Sequence, residues 1–261
     1  MAAKELNIMK KFLTVILIIA LIFTLFGCNS KLKKGPGATP VPSAEPKDNE
    51  TLYTEAVEDA KEAEADELYP LITLSKDIPF VTWNEEGNKV LLLSWHNSPE
   101  FYAEGKSCTF LNHVWTFTDG EIISWYKGNK QNVTDWTLRL EQLTGSPEGS
   151  GYTHVSAFWV DLNEVIRPAY ETSVGKQLSP ESLDGKGLGI HKDWFENNTK
   201  ISYEETLRPW TKLGYTYDWN QYSGEYGLTE FLILQGSEVE IEWTKTTEEF
   251  IKWMELGGNA K

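Results

Sequence analysis

The chain has 261 residues, with 39 acidic against 24 basic side chains and a formal net charge of −15. That sign excludes nucleic acid as a partner and works against anionic wall polymers, which need a surplus of Lys and Arg. Two cysteines, Cys28 and Cys108, cannot build the disulfide framework of a small secreted scaffold, so burial must hold the core together.

In chain order, Lys10 and Lys11 lead into an apolar run from Phe12 to Phe26 that closes with Leu25-Phe26-Gly27-Cys28. A basic stretch, an apolar stretch and a small residue before a cut form the pattern of an export signal. The run is shorter than the about 20 apolar residues a membrane-spanning helix requires. Leu25 to Cys28 resembles the lipobox of bacterial lipoproteins, with Phe26 where that family carries a smaller residue. The resemblance implies cleavage after residue 27, lipidation of Cys28, and a protein anchored to the bacterial cell membrane and facing away from the cytoplasm. Retention of an uncleaved anchor flanked by Lys31, Lys33 and Lys34 is the alternative, and Met9 is an alternative start to Met1. Loss of residues 1–27, with three lysines and one glutamate, takes the charge from −15 to −17. It also leaves Cys108 without a disulfide partner, and a buried, inert thiol is expected there.

Residues 28–50 are expected to be the lipidated cysteine and a disordered, proline-rich linker from Gly35 to Pro46. Residues 51–68, rich in Ala and Glu, predict an exposed, partly helical acidic spacer with almost no apolar stripe. Residues 69–261 are expected to form one α+β domain of antiparallel strand pairs and short helices, without internal repeats.

Within that domain Val90 to Trp95 reads as a buried strand, paired across Glu85–Asn88 with Pro79 to Trp83. Val114–Thr118 and Glu121–Tyr126 flank Asp119-Gly120, which predicts a two-residue hairpin. Thr134 is the expected cap of a helix bearing Trp136, Leu140 and Leu143 and ending at Gly145. His154 to Val160 reads as a strand, and Asp161 as the cap of a single helical turn stopped by Pro168. Phe231–Leu234 and Glu238–Trp243 predict a hairpin around Gln235-Gly236, with Val239, Ile241 and Trp243 on one buried face. Thr246 and Glu249 form a capping box for a last helix that Gly257 ends. All eleven tryptophans lie between Trp83 and Trp253, and seven or more are expected in the core.

No phosphate loop, serine elbow, carboxylate pair or zinc spacing is present, and neither cofactor nor metal is expected. Asp218 to Thr229 imitates a calcium loop, but the glycine falls one position late and Thr229 replaces the bidentate glutamate. The one catalytic alternative is a thiol hydrolase with Cys108 as nucleophile, His154 as base and Asp161 or Asn163 orienting the ring. The order of these residues resembles papain-like peptidoglycan hydrolases, although Cys108 precedes a strand-like run where those enzymes have a long helix.

Arg139-Leu-Glu-Gln-Leu-Thr-Gly145, Phe158-Trp-Val160 with Arg167-Pro168, His191-Lys-Asp-Trp-Phe-Glu-Asn197, Pro209 to Trp219 and Gly227-Leu-Thr-Glu-Phe231 together resemble an uncharacterised family of exported bacterial proteins. That resemblance spans roughly residues 80 to 245 and implies no activity. Arg139, Arg167, His191 and Asp218 are expected either to pair with one another structurally or to line a pocket with Trp194 and Trp219. Such a pocket would offer charge and stacking to a carbohydrate or small polar ligand. A lipid-anchored binding module, rather than an enzyme, is the function expected from these features; the other alternative is a purely structural envelope protein.

Overall fold

Seven antiparallel strands build the central sheet of the computed structural model, which describes residues 46–258. They are β1 (Lys89–His96), β2 (Ser107–Thr109), β3 (Val114–Thr118), β4 (His154–Asp161), β5 (Val165–Ile166), β8 (Phe231–Ile233) and β9 (Glu238–Thr246), in the order β2-β9-β4-β1-β3-β8-β5. Two further strands, β6 (Tyr215–Tyr217) and β7 (Tyr226–Thr229), pair with each other in a small second sheet. The helices are α1 (Asn49–Asp59), α2 (Asp119–Asn129), α3 (Trp136–Leu143), α4 (Lys192–Lys200) and α5 (Thr247–Glu255). Mixed helices and antiparallel strands in one domain are the α+β class that the sequence predicts. None of the described helices is long and apolar enough to cross a membrane. The export signal, Cys28 and most of the proline-rich linker lie outside the described residues.

Alternation along the strands divides the core into two layers. Leu91, Leu93, Trp95, Val155 and Ala157 face α2, α3 and α5, whose Ile122, Leu140, Leu143, Phe250 and Trp253 cover them. Val90, Leu92, Phe158 and Val160 point the other way, onto Leu74, Val81 and Phe110. Val239, Ile241 and Trp243 are all buried, yet they do not share a face. A β-bulge pairs Ala157 with Trp243 and Phe158 with Ile241, so Glu242 is the extra residue and Trp243 joins the helical layer.

Three local expectations are corrected. Asp119-Gly120 does not turn a hairpin: it opens α2, with Ile122 and Tyr126 buried one turn apart. Asp119 is tied to Thr82 Oγ1 at 2.5 Å, and Gly120 lies so close to the Phe80 backbone that a Cβ would approach its Cα to 2.5 Å. Tertiary contact, not turn chemistry, selects that glycine. β8 and β9 are likewise no hairpin, since β8 pairs with β3 and β5 while β9 pairs with β4 and β2. The α3 cap is Asp135, whose carboxylate accepts from Leu138 N at 3.0 Å, rather than Thr134.

Pro79–Trp83 contributes only an isolated bridge, Trp83 to Val90. The turn capped by Asp161 runs Leu162–Glu164 and gives way to β5 before Pro168 is reached. The Thr246/Glu249 capping box of α5 is present. Five tryptophans are buried and six half-buried, fewer in the core than the seven expected. The acidic spacer is also not separate: α1 buries Ala56 and Val57, and Tyr203 donates to Ala60 O at 2.6 Å. The compact unit therefore begins at Pro46, not near residue 69.

Candidate functional site

A cavity of about 480 Å³ opens where the end of β1, β3, the turn after α3, the segment after α4 and the strand β6 meet. Its walls are aromatic, with Trp95, Trp115, Trp210, Tyr102, Tyr152 and Tyr217 among them. The indole N–H groups of Trp95 and Trp210 are held by Thr247 Oγ1 and Pro168 O, each at 3.0 Å, which fixes their rings. Trp115 packs edge-on against Trp210 with ring centres 6.0 Å apart, and Trp194 backs both at 6.2 and 5.8 Å.

Glu230 is the only carboxylate among the lining residues. It is the single residue between β7 and β8, at the point where the chain leaves the small sheet for the large one, and its N–H donates to Gly214 O at 2.9 Å. Neighbouring Thr229 and Phe231 are fully buried, so the backbone has no freedom to turn the side chain outward. The carboxyl group makes no hydrogen bond or ion pair with the described residues, and desolvation pushes it up to about 8. The half-buried surface that Glu230 keeps is consistent with its place in the cavity lining.

Arg208 is the only lysine or arginine lining the cavity, and it too has no ion pair among the described residues. Its segment is strained on both sides. α4 widens into a π-helical turn over Ile201–Glu205, a deviation that concentrates at functional sites. Leu207 (φ 50°) and Lys212 (φ 60°) then adopt left-handed backbone without being glycine. Arg208 N–H donates to Ser202 O at 2.6 Å, and Lys212 Nζ donates to Lys61 O at 2.5 Å, which pins the far end of the segment. Burial pushes Lys212 down to about 8.

Burial disfavours the charged form of both cavity histidines. Burial, aided by the charge of His154, pushes His96 down to about 4; its Nδ1 accepts Ser98 N–H at 3.1 Å while Nε2 meets Ser156 Oγ at 2.8 Å. Burial also lowers His113, whose Nδ1 accepts Gln235 N–H at 3.0 Å.

The residues singled out from sequence are distributed otherwise. Arg139 and Asp218 form a buried bidentate pair, at 2.9 and 2.5 Å, with the guanidinium 4.8 Å from the centre of the Trp125 ring. This pairing occupies both Asp218 oxygens and removes the calcium-loop reading. Trp219 stacks edge-on with Tyr53 and donates to Ser146 O at 2.9 Å. Arg167 is fully buried over the Phe231 ring and donates to Ile72 O at 2.9 Å; desolvation lowers it to about 10. His191 ends the turn before α4, and only Trp194 reaches the cavity's surroundings. These six residues therefore do not make one pocket.

Nor are the thiol-hydrolase candidates brought together. Cys108 lies opposite Val239 and His154 opposite Thr246, so about 23 Å of β9 separates their positions. Asp161 and Asn163 sit at the far end of β4 from His154, bonded to each other at 2.9 Å. Burial raises the Cys108 thiol, which opposes nucleophilic use.

Asp59, Glu67 and Glu225 bring one carboxylate oxygen each to within 4.8 Å of one another, a donor set suited to a hard cation. Tyr217 and Tyr215 donate to Asp59 and Glu225 at 2.7 and 2.8 Å, so two of the three carboxylates already have protein partners.

The sequence reading missed Glu230 and Arg208. A signal existed for Glu230, a lone charge inside the apolar run Leu228 to Leu234, whereas Leu207-Arg208-Pro209 carries none. No family model, curated protein or solved structure matches the chain.

Proposed function

We propose that the chain is a lipid-anchored extracytoplasmic protein of a bacterial envelope, held through Cys28, and that its domain binds a carbohydrate or small polar ligand in the cavity. One observation carries the binding reading: among the described residues, a carboxyl group without a hydrogen bond and a guanidinium without an ion pair, its neighbour being the Tyr53 hydroxyl, face a single aromatic-walled cavity. Unpaired polar groups are unfavourable away from bulk water, and they persist where a ligand completes them. Three tryptophans, two with rings fixed by their own N–H bonds, supply flat apolar surface of the kind that stacks on a pyranose.

The anchor reading rests on the lipobox-like segment, and membership of an uncharacterised family of exported bacterial proteins rests on the shared segments quoted above. Separation of Cys108 from His154 weighs against the hydrolase alternative.

Titration calorimetry of the full-length chain in detergent, against simple neutral, acidic and amino sugars, tests the binding. At least one should bind, and Trp115→Ala should weaken it about threefold to tenfold. A complete lack of binding, or binding that ignores Trp115, refutes the assignment. For the anchor, Cys28→Ser should release the protein from the membrane fraction.

A further inference from the structure

We infer that the cavity selects an anionic saccharide, a pyranose carrying one carboxylate, with that carboxylate on Arg208 and its hydroxyls on Glu230. This deepens the binding assignment above and rests on it.

The inference comes from the charge balance of the cavity. Arg208 contributes one permanent positive charge, and no acidic side chain of the described residues neutralises it. Glu230 contributes no compensating charge at neutral pH, because desolvation keeps it protonated. Burial disfavours the charged form of His96 and His113. The cavity therefore presents the Arg208 charge without a carboxylate bonded to it, inside a chain whose total is −15.

Each ligand class meets that charge differently. A neutral sugar would displace water from the guanidinium and give it no counter-charge. An amino sugar would bring a second cation beside Arg208 and meet a carboxyl group that has kept its proton. A carboxylate can take the planar, bidentate geometry for which a guanidinium is built. Protonated Glu230 supplies one O–H donor and further acceptor capacity, which suits hydroxyl or acetamido groups. Trp115, whose indole N–H has no partner among the described residues, adds a further donor in the same wall.

Rising pH should weaken this binding. Deprotonation of Glu230 offsets the Arg208 charge and places a carboxylate opposite the ligand's own. The titratable groups sharing the cavity are His96, Tyr102, His113, Tyr152, Arg208 and Tyr217. Burial raises Tyr102 and Tyr217 and lowers the two histidines. Beside β7 and β8, half-buried Glu121 accepts from Thr229 N–H and Arg167 lies over Phe231.

The test compares matched probes on the unaltered full-length chain: N-acetylmuramic acid against N-acetylglucosamine, and glucuronic acid against glucose and glucosamine. The acid of each set should bind at least about tenfold tighter at pH 6.5. That advantage should shrink several-fold by pH 9.5. Arg208→Gln should equalise acid and neutral sugar, whereas Glu230→Gln should keep the preference and abolish its pH dependence. Neutral or amino sugars that bind as tightly as the acids overturn the anionic-ligand inference and leave sugar binding standing. If no saccharide binds at all, both fall.

Discussion

Replacing Glu230 by Gln should stabilise the folded chain, and by an amount that grows with pH. The substitution keeps the shape of the side chain and removes its ability to ionise. Desolvation raises the carboxyl from 4.5 to about 8, so the folded chain holds its proton after the unfolded chain has released it. Stability of the unaltered protein therefore falls as pH rises between those two values and is unaffected by this group below the lower one. At about 1.4 kcal/mol for each pH unit between the ordinary and raised values, the penalty is about 3 kcal/mol at pH 7 and about 5 kcal/mol above pH 8. Urea unfolding of both proteins at pH 4.5, 7 and 9 measures it. The advantage of Glu230→Gln over the unaltered chain should widen by about 3 and then about 5 kcal/mol relative to the lowest pH. A difference that stays flat across this range would show that water or a neighbouring group already solvates the carboxylate, and the charge balance assigned to the cavity would be wrong.

Three further expectations concern the framework. Asp218→Asn leaves the Arg139 guanidinium buried without its counter-ion and should cost about 3–5 kcal/mol in denaturant unfolding; a loss below about 1 kcal/mol would show that the pair is not an isolated buried one. On α2, Gly120→Ala should destabilise by more than about 2 kcal/mol because its methyl group meets the Phe80 backbone, while Gly128→Ala, with open space around it, should be neutral or stabilising by up to about 1 kcal/mol. Equal effects at the two positions would contradict the close approach. Cys108 should react with a thiol reagent more slowly than free cysteine at pH 8, since burial raises its ionisation, and rapid labelling would reverse that expectation.

The parts of the fold legible in the sequence are those decided locally. β1, β3, β4 and β9 announce themselves by apolar runs or strict alternation, and α5 by its capping box. What failed depended on partners distant in sequence. Asp119-Gly120 has the composition of a tight turn, yet Thr82 and Phe80 make it a helix start. Gln235-Gly236 is turn-like as well, but the strands on either side join different neighbours, which no local pattern encodes. The site was least legible for the same reason. Arg139, Arg167 and Asp218 stood out as charges among aromatics, and the first and last were consumed by pairing with each other. Glu230 and Arg208 matter because no ion pair among the described residues neutralises either, a property that exists only once the surrounding elements have closed.

The position of β9 dictates when the chain can finish folding. This strand lies between β4 and β2, so until it arrives β4 has one bare edge, eight residues long, and β2 has no sheet to join. α5 follows directly and brings Phe250, Trp253 and Met254, the lid of the helical core layer. An incomplete chain thus presents an open, apolar strand edge, the usual template for aggregation, and cannot shield it from within. Closure of the sheet and of the helical core layer therefore waits on Glu238–Thr246 and Thr247–Glu255, so β9 and α5 are the elements that complete the domain.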